Sequence, residues 1–407
     1  MNSTSLRTYF KYEKSQLHFG LQPKPLAKLI HNYQGPTYVY DLAIVTDRYE
    51  KMKKALSGVD LYYAMKANSN LALLKSLQSL GCKIDVVSSG EINRALEAGF
   101  LPKDIVFSGV GKTIRELSQA IDLSIHQINV ESFAELERIA SIAKQKGTQV
   151  SIALRLNPNI SIDTHPYIAT GLHENKFGIE LSLLPELKKF LKHNQENIAL
   201  KGISLHLGSQ MLEFSGLREA LRLLKEVYQS LKVEFKDLSR FDFGGGLGIG
   251  YEQTDLQAEE ALLSEYANVV QQELSELGAE LQSEPGRWLV AHAGLLLTEI
   301  QYIKPTPYKN FVVVDSGMNH LLRPALYEAH HQILSVSENS DKPIISYDIV
   351  GPICESADFF GKARSLRQTQ AGDYLVIADA GAYGFSMANT YNLQSLPHEV
   401  VFNSNQT

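Results

Sequence analysis

Cysteine is scarce in this chain: two in 407 residues, Cys82 and Cys354, far apart in sequence. That argues against a disulfide framework and fits a reducing cytoplasm. Blocks of one charge are also missing. Lys and Arg number 39 against 45 Asp and Glu, a formal charge of −6 spread along the chain. Neither a nucleic-acid groove nor an anionic membrane surface is expected, because both need clustered Lys and Arg. Long hydrophobic runs are absent as well. The nearest, Trp288 to Leu297, is interrupted by His292 and falls short of a bilayer span. Met1 to Phe10 lacks the apolar core of a signal peptide. Low-complexity stretches, short repeats and a metal site are not expected either.

What is present is an ordinary globular composition, 44% hydrophobic and 21% charged, at a length that points to two domains. Thr37 to Tyr40, after Gly35-Pro36, reads as a strand, and Ala43 to Leu56 as an amphipathic helix. A regular alternation follows. Strands, each followed by a helix, are expected at Val59–Ala67, Lys83–Ser88, Asp104–Ser108, Ser124–Val130, Thr148–Leu156, Ile198–Leu207, Ser239–Phe243 and Glu280–Glu284. Ser132-Phe-Ala-Glu135 reads as a capping box for a helix that stops at Gly147. Eight such units match a (β/α)₈ TIM barrel better than a doubly wound sheet with a switch point. Asn157 to Gly178 is a long loop of the kind that usually carries function.

After Pro285 the rhythm changes to strands joined by turns: Leu295–Ile303, Phe311–Asp315, Ile344–Val350, Asp373–Ile377 and Glu399–Phe402. We expect an all-β Greek-key or sandwich domain there, joined by the early strands and so built from both chain ends. The expected division is 1–42 for those early strands, 43–288 for the barrel and 289–407 for the rest of the β domain.

Barrel chemistry sits at the C-terminal ends of the strands, which turns the strand list into a site list. Lys66 ends the first strand, in Tyr-Tyr-Ala-Met-Lys-Ala-Asn. A lysine among apolar neighbours is disfavoured as an ammonium and suits Schiff-base chemistry; the plain alternative is a side chain that snorkels to solvent. His206 and Ser209 leave the sixth strand. The seventh runs into Gly244-Gly245-Gly246, whose bare N–H groups suit a phosphate, and the eighth ends in Glu284-Pro-Gly286-Arg287. A phosphate loop opposite a lysine points to pyridoxal 5'-phosphate, with Glu284 on its ring nitrogen and His206 against its ring face. Singly, each residue has a bland reading: a rim salt bridge from Glu284 to Arg287, or a hydrogen-bonded core histidine. Their joint placement at four strand ends favours chemistry.

In the β domain, Arg323-Pro-Ala-Leu-Tyr327 reads as a turn-like clamp for a carboxylate. Cys354 and Glu355 sit in a Gly-Pro turn, where a thiol can give a proton, and Tyr383 stands between glycines.

Taken together, these stretches resemble the fold-type III pyridoxal-phosphate decarboxylases, and among them the diaminopimelate decarboxylases. The resemblance rests on Tyr63-Ala-Met-Lys-Ala-Asn68, Asp85-Val-Val-Ser88, Asn175-Lys-Phe-Gly-Ile179, His206-Leu-Gly-Ser-Gln210, Gly244-Gly-Gly246 and Glu284-Pro-Gly-Arg287. It continues through Arg323-Pro-Ala-Leu-Tyr327, Gly351-Pro-Ile-Cys-Glu-Ser356 and Gly381-Ala-Tyr383, nearly the whole chain. It implies an alanine-racemase-like barrel, a cytoplasmic enzyme and decarboxylation of meso-2,6-diaminopimelate to L-lysine and CO₂, the last step of lysine biosynthesis. By the same resemblance Lys66 binds the cofactor covalently. Asp85, His206, Ser209, Gly244, Gly245, Gly246, Glu284, Gly286, Arg287 and Tyr383 hold it. Arg287, Arg323, Tyr327, Glu355 and Tyr383 recognise substrate, and Cys354 is the proton donor. Cys354 and Glu355 would reach the site from the other subunit of a homodimer.

Three departures stand out. Ser89 replaces a glycine, where local adjustment is expected; Trp288 is bulkier than usual; and the chain ends soon after Val401, which puts the last strand in doubt. A sibling decarboxylase acting on another basic amino acid or on a siderophore or antibiotic intermediate is the nearest rival. A racemase on the same architecture and a non-catalytic cofactor-binding protein stand further off.

Overall fold

The computed structural model describes residues 9–30, 33–160, 176–252 and 256–406. Residues 161–175, which make up most of the long loop expected between Asn157 and Gly178 and include Asn175, lie outside them. The chain forms two compact units: Tyr49–Gly248 with Glu260–Gly286, and Met1–Arg48 with Ile249–Glu259 and Arg287–Thr407.

The first unit is a closed parallel barrel. Its eight strands are Val59–Ala64, Lys83–Val86, Ile105–Phe107, Gln127–Val130, Val150–Asn157, Ile198–Ser204, Arg240–Asp242 and Glu280–Ser283. Each pairs in parallel with the next, and Leu281 against Val59 closes the ring. These strands are almost continuously buried, as expected where helices cover the outside and side chains fill the inside. All eight expected strands are present.

Local signals set the helix starts. Asn70 caps Leu71–Ser79 by accepting from the N–H groups of Ala72 and Leu73, a cap of the kind worth about 1 kcal/mol. Ser132 caps Phe133–Lys146, and Gly147, at φ +63°, ends it. The reciprocal half of that expected capping box is missing, because Glu135 accepts instead from the Glu131 N–H and from Lys112. Ser89 opens the helix Ser89–Glu97 in ordinary helical conformation, with Ser88 as its cap, so the missing glycine needs no backbone compensation.

The second unit is built on a mixed sheet. Gly294–Pro305 is its longest strand and pairs with Thr37–Asp41, Asn310–Val314 and Tyr374–Ile377. Ile344–Val350 continues the sheet, and His398–Phe402 pairs in parallel with Thr37–Asp41, so the last strand forms. Two strands not foreseen, Ile333–Ser335 and Phe359–Arg367, lie at the sheet's ends. One apolar cluster, including Tyr38, Leu296, Val312, Ile333, Ile349, Phe360 and Ile377, receives side chains from seven strands. Phe10–Glu13, Gln16–Phe19 and Lys24–Pro25 form a small antiparallel sheet of their own, bridged through Gln16 to Ser337.

Trp288 is buried, with the Arg48 guanidinium stacked 3.8 Å above its ring. Its bulk is taken up by packing against Arg48.

Candidate active site

In the barrel unit, the first strand stops at Ala64, and Met65–Ala67 makes one 3₁₀ turn that carries Lys66. The Ala64 N–H donates to Pro285 O at 2.9 Å, tying the ends of the first and eighth strands together. A Cβ on Gly286 would lie 3.2 Å from the Ala64 Cβ and 3.3 Å from that of Ala67. Lys66 Nζ lies 3.0 Å from Asp85 Oδ2, and Asp85 is fully buried beneath it. This corrects the sequence-based picture of an amine in apolar surroundings: the lysine stands beside an anion.

The loop after the seventh strand is wedged between those after the sixth and eighth. Gly244 donates to Asp242 Oδ1 at 2.8 Å, and its carbonyl accepts from the Glu284 N–H and the Ser283 hydroxyl. Gly245 donates to His206 Nδ1 at 3.3 Å. The approach is so close that a Cβ on Gly245 would fall 2.0 Å from Glu284 O. Gly246, at φ +104°, adopts a conformation few other residues tolerate.

Glu284 is buried at the end of the eighth strand. Its Oε1 accepts from Asn129 Nδ2 at 3.2 Å and from Ser108 Oγ at 3.4 Å. Burial, then repulsion from Asp242 and Asp85, raises its carboxyl well above the usual range, against a pull from Lys66. Burial likewise raises the Asp242 carboxyl, and each acid acts on the other's charge. Burial, then the cations Arg155 and Lys66, holds His206 well below the ordinary imidazole value, so its ring is neutral. Ser209 sits just beyond it, in the same loop.

These residues fit a phosphorylated pyridine cofactor. Among the described residues the N–H groups of Gly246 and Gly286 meet no protein acceptor, and Gly286 is buried. A buried donor left unmatched by protein is costly unless a ligand oxygen meets it.

The second unit carries the other expected residues. Arg323–Tyr327 is a short helix, not the turn expected, and Arg323 is buried. Its guanidinium lies 4.2 Å from the Tyr251 ring centroid. Arg287 donates to the Tyr251 hydroxyl at 3.0 Å and stands 4.7 Å from the Tyr383 ring. Cys354 is exposed, with its N–H on Asn392 Oδ1 at 3.0 Å. Glu355, also exposed, accepts from the Tyr391 hydroxyl at 2.6 Å.

Sequence reasoning missed Ser108, Asn129, Asp242 and Tyr251. The first three stand at or near the ends of barrel strands, where the strand-end rule places chemistry without telling which side chains meet across strands. Tyr251 directly follows the glycine-rich loop.

The family model described as pyridoxal-dependent decarboxylase, pyridoxal binding domain, matches residues 42–291. The diaminopimelate decarboxylase of Campylobacter jejuni is 41% identical over 381 residues, covering 93% of each chain. That of Aquifex aeolicus is 39% identical over 395 residues, covering 97% of this chain and 92% of its own. The crystal structure of the Helicobacter pylori enzyme complexed with L-lysine superposes with a TM-score of 0.87 at 40% identity, covering 92% of this chain and 93% of that one.

Proposed function

The chain belongs to the pyridoxal-dependent decarboxylases and, within them, to the diaminopimelate decarboxylases, and on that premise we propose how its residues divide the work. The reaction is decarboxylation of meso-2,6-diaminopimelate to L-lysine and CO₂, with pyridoxal 5'-phosphate as cofactor. One observation carries the assignment of residues: Lys66, at the end of the first strand, shares its barrel with the buried Glu284 and the glycine loop, each at its own strand end.

The cofactor, when bound, supplies an electron sink for the pair left behind by the departing carboxylate. Lys66 is its covalent anchor, with Asp85 holding the amine in place. Glu284, steadied by Ser108 and Asn129, keeps a proton for the ring nitrogen. His206, neutral, would help hold the cofactor without adding charge. Gly244, Gly245, Gly246, Gly286, Ser209 and Tyr383 hold the phosphate.

Arg323 and Arg287 take the substrate's distal carboxylate, with Tyr327 and Tyr383 beside them, and Glu355 takes the distal ammonium. A buried guanidinium gains most from a ligand that brings the opposite charge with bidentate geometry. That preference sets the substrate apart from ornithine, which has no distal carboxylate. Cys354 returns a proton to the carbon that lost CO₂.

Cys354 and Glu355 act in the site of a second copy of the chain. Both are exposed, and beside them lie Leu393, 95% exposed, and Tyr391, 44% exposed, an apolar patch that a partner subunit would cover. The cytoplasm suits this arrangement, because an acid thiol must stay reduced and both cysteines are free. Among the described residues no helix is long and apolar enough to cross a membrane.

Incubation with meso-diaminopimelate and cofactor should yield L-lysine and CO₂; CO₂ from ornithine and none from meso-diaminopimelate would overturn the substrate assignment. The shared site has its own test. Lys66→Ala and Cys354→Ala proteins, each inactive, should recover about a quarter of wild-type activity when their subunits are exchanged, since half the dimers are mixed and each holds one intact site. No recovery, with mixed dimers present, would place Cys354 in its own subunit's site.

A further inference from the structure

Arg323 is buried, and its partners are unusual for a buried cation. Nη1 donates to His331 Nε2 at 2.7 Å, and the Tyr251 ring lies under the guanidinium. Among the described residues no carboxylate pairs with it: the groups acting on its charge are Tyr251, Arg287, Tyr383 and Tyr327. Among the described residues its Nε has no hydrogen-bond partner.

His331 is fully buried, and its other nitrogen, Nδ1, faces Ala378 O at 2.7 Å. A carbonyl can only accept, so Nδ1 carries the hydrogen and Nε2 offers a lone pair. The ring is therefore neutral and of one tautomer. Burial, then Arg323, pushes its pKa down to about 3, so this state persists at physiological pH. The preceding residue repeats the pattern: His330 Nδ1 faces Tyr251 O at 3.3 Å while its Nε2 accepts from Arg364. Asp or Glu in the place of His331 would cancel the guanidinium's charge and compete with an incoming carboxylate. A neutral imidazole gives direction without charge.

We propose that His331 is a positioning residue for substrate recognition, fixing Arg323 through a neutral acceptor so that its charge remains for the distal carboxylate. This rests on the reading of Arg323 given above.

Two substitutions separate the roles of the ring. His331→Asn keeps a donor near Nδ1 for Ala378 but falls short of Arg323, whereas His331→Gln places an acceptor at the reach of Nε2. The probes are L-lysine, which retains the distal carboxylate, and 1,5-diaminopentane, which has none, each as a competitive inhibitor of the holoenzyme. In His331→Asn, L-lysine should bind about tenfold more weakly, the scale of a lost hydrogen bond to a charged group. The KM for meso-diaminopimelate should rise by a similar factor, kcat should hold within about twofold, and 1,5-diaminopentane should be unaffected. His331→Gln should restore most of the loss. Equal weakening of both probes, or of neither, overturns the proposal. Arg323→Gln is measured alongside. If it abolishes the preference for L-lysine and His331→Asn does not, only the role of His331 falls. If Arg323→Gln leaves the preference intact, the assignment of Arg323 falls and this inference with it.

Discussion

Lys66→Ala should leave a folded protein that no longer holds cofactor covalently and decarboxylates at least about 10³-fold more slowly, because no other amine can take over a positioned nucleophile's part. Borohydride reduction of the wild type, followed by peptide mapping, should find the cofactor on Lys66; a label on another lysine would overturn the site. The substitution also leaves the Asp85 carboxylate, fully buried, without its cation at 3.0 Å. An unpaired buried acceptor costs about 1–3 kcal/mol, so the melting temperature should fall as well. Lys66→Arg separates the two effects. It keeps a cation over Asp85 and should recover much of the stability, yet it cannot form the covalent link and should remain inactive.

That pairing marks the boundary of what the chain alone disclosed. Lys66 was legible because strand, turn and capped helix follow one another within a dozen residues, each with its own local signal. Asp85 as its counter-ion was not, because the pairing comes from lateral register: Ala64 lies opposite Asp85 in the parallel ladder. Periodicity along one strand cannot tell which residue of the next strand lies beside it. Ser108 and Asn129 escaped for the same reason, reaching Glu284 from strands that the sequence placed but did not align. In the β unit, Phe359–Arg367 was missed because it is a sheet edge. Lys362, Arg364 and Arg367 interrupt its apolar pattern, the kind of charge that protects an exposed edge and hides the strand from a periodicity search. Arg323–Tyr327 read as a turn because five residues with a proline at the second position carry too little helical period.

Glu284→Gln should lower kcat by about 10²–10³-fold with the cofactor still attached to Lys66, the range seen when one preorganised charge-stabilising group is removed. Glutamine matches the shape and can still meet Asn129 and Ser108, but it cannot pass a proton to the ring nitrogen or balance its charge. The cofactor-free protein offers an independent check. Burial, Asp242 and Asp85 raise the Glu284 carboxyl, and burial lifts Asp242 to about 6. A carboxyl whose pKa is raised on folding binds its proton more tightly in the native state, so its contribution is complete below the ordinary value and is lost as pH rises through the raised one. Relative to Glu284→Gln, which has one acid fewer in the cluster, the cofactor-free wild type should therefore lose melting temperature as the pH rises from about 4 through 6 and above, so the two pH slopes should differ. Identical slopes would mean that Glu284 is ionised in the empty barrel and brings no proton. A kcat loss with full cofactor attachment and that difference in slope would assign the proton to Glu284, separate from the anchoring done by Lys66.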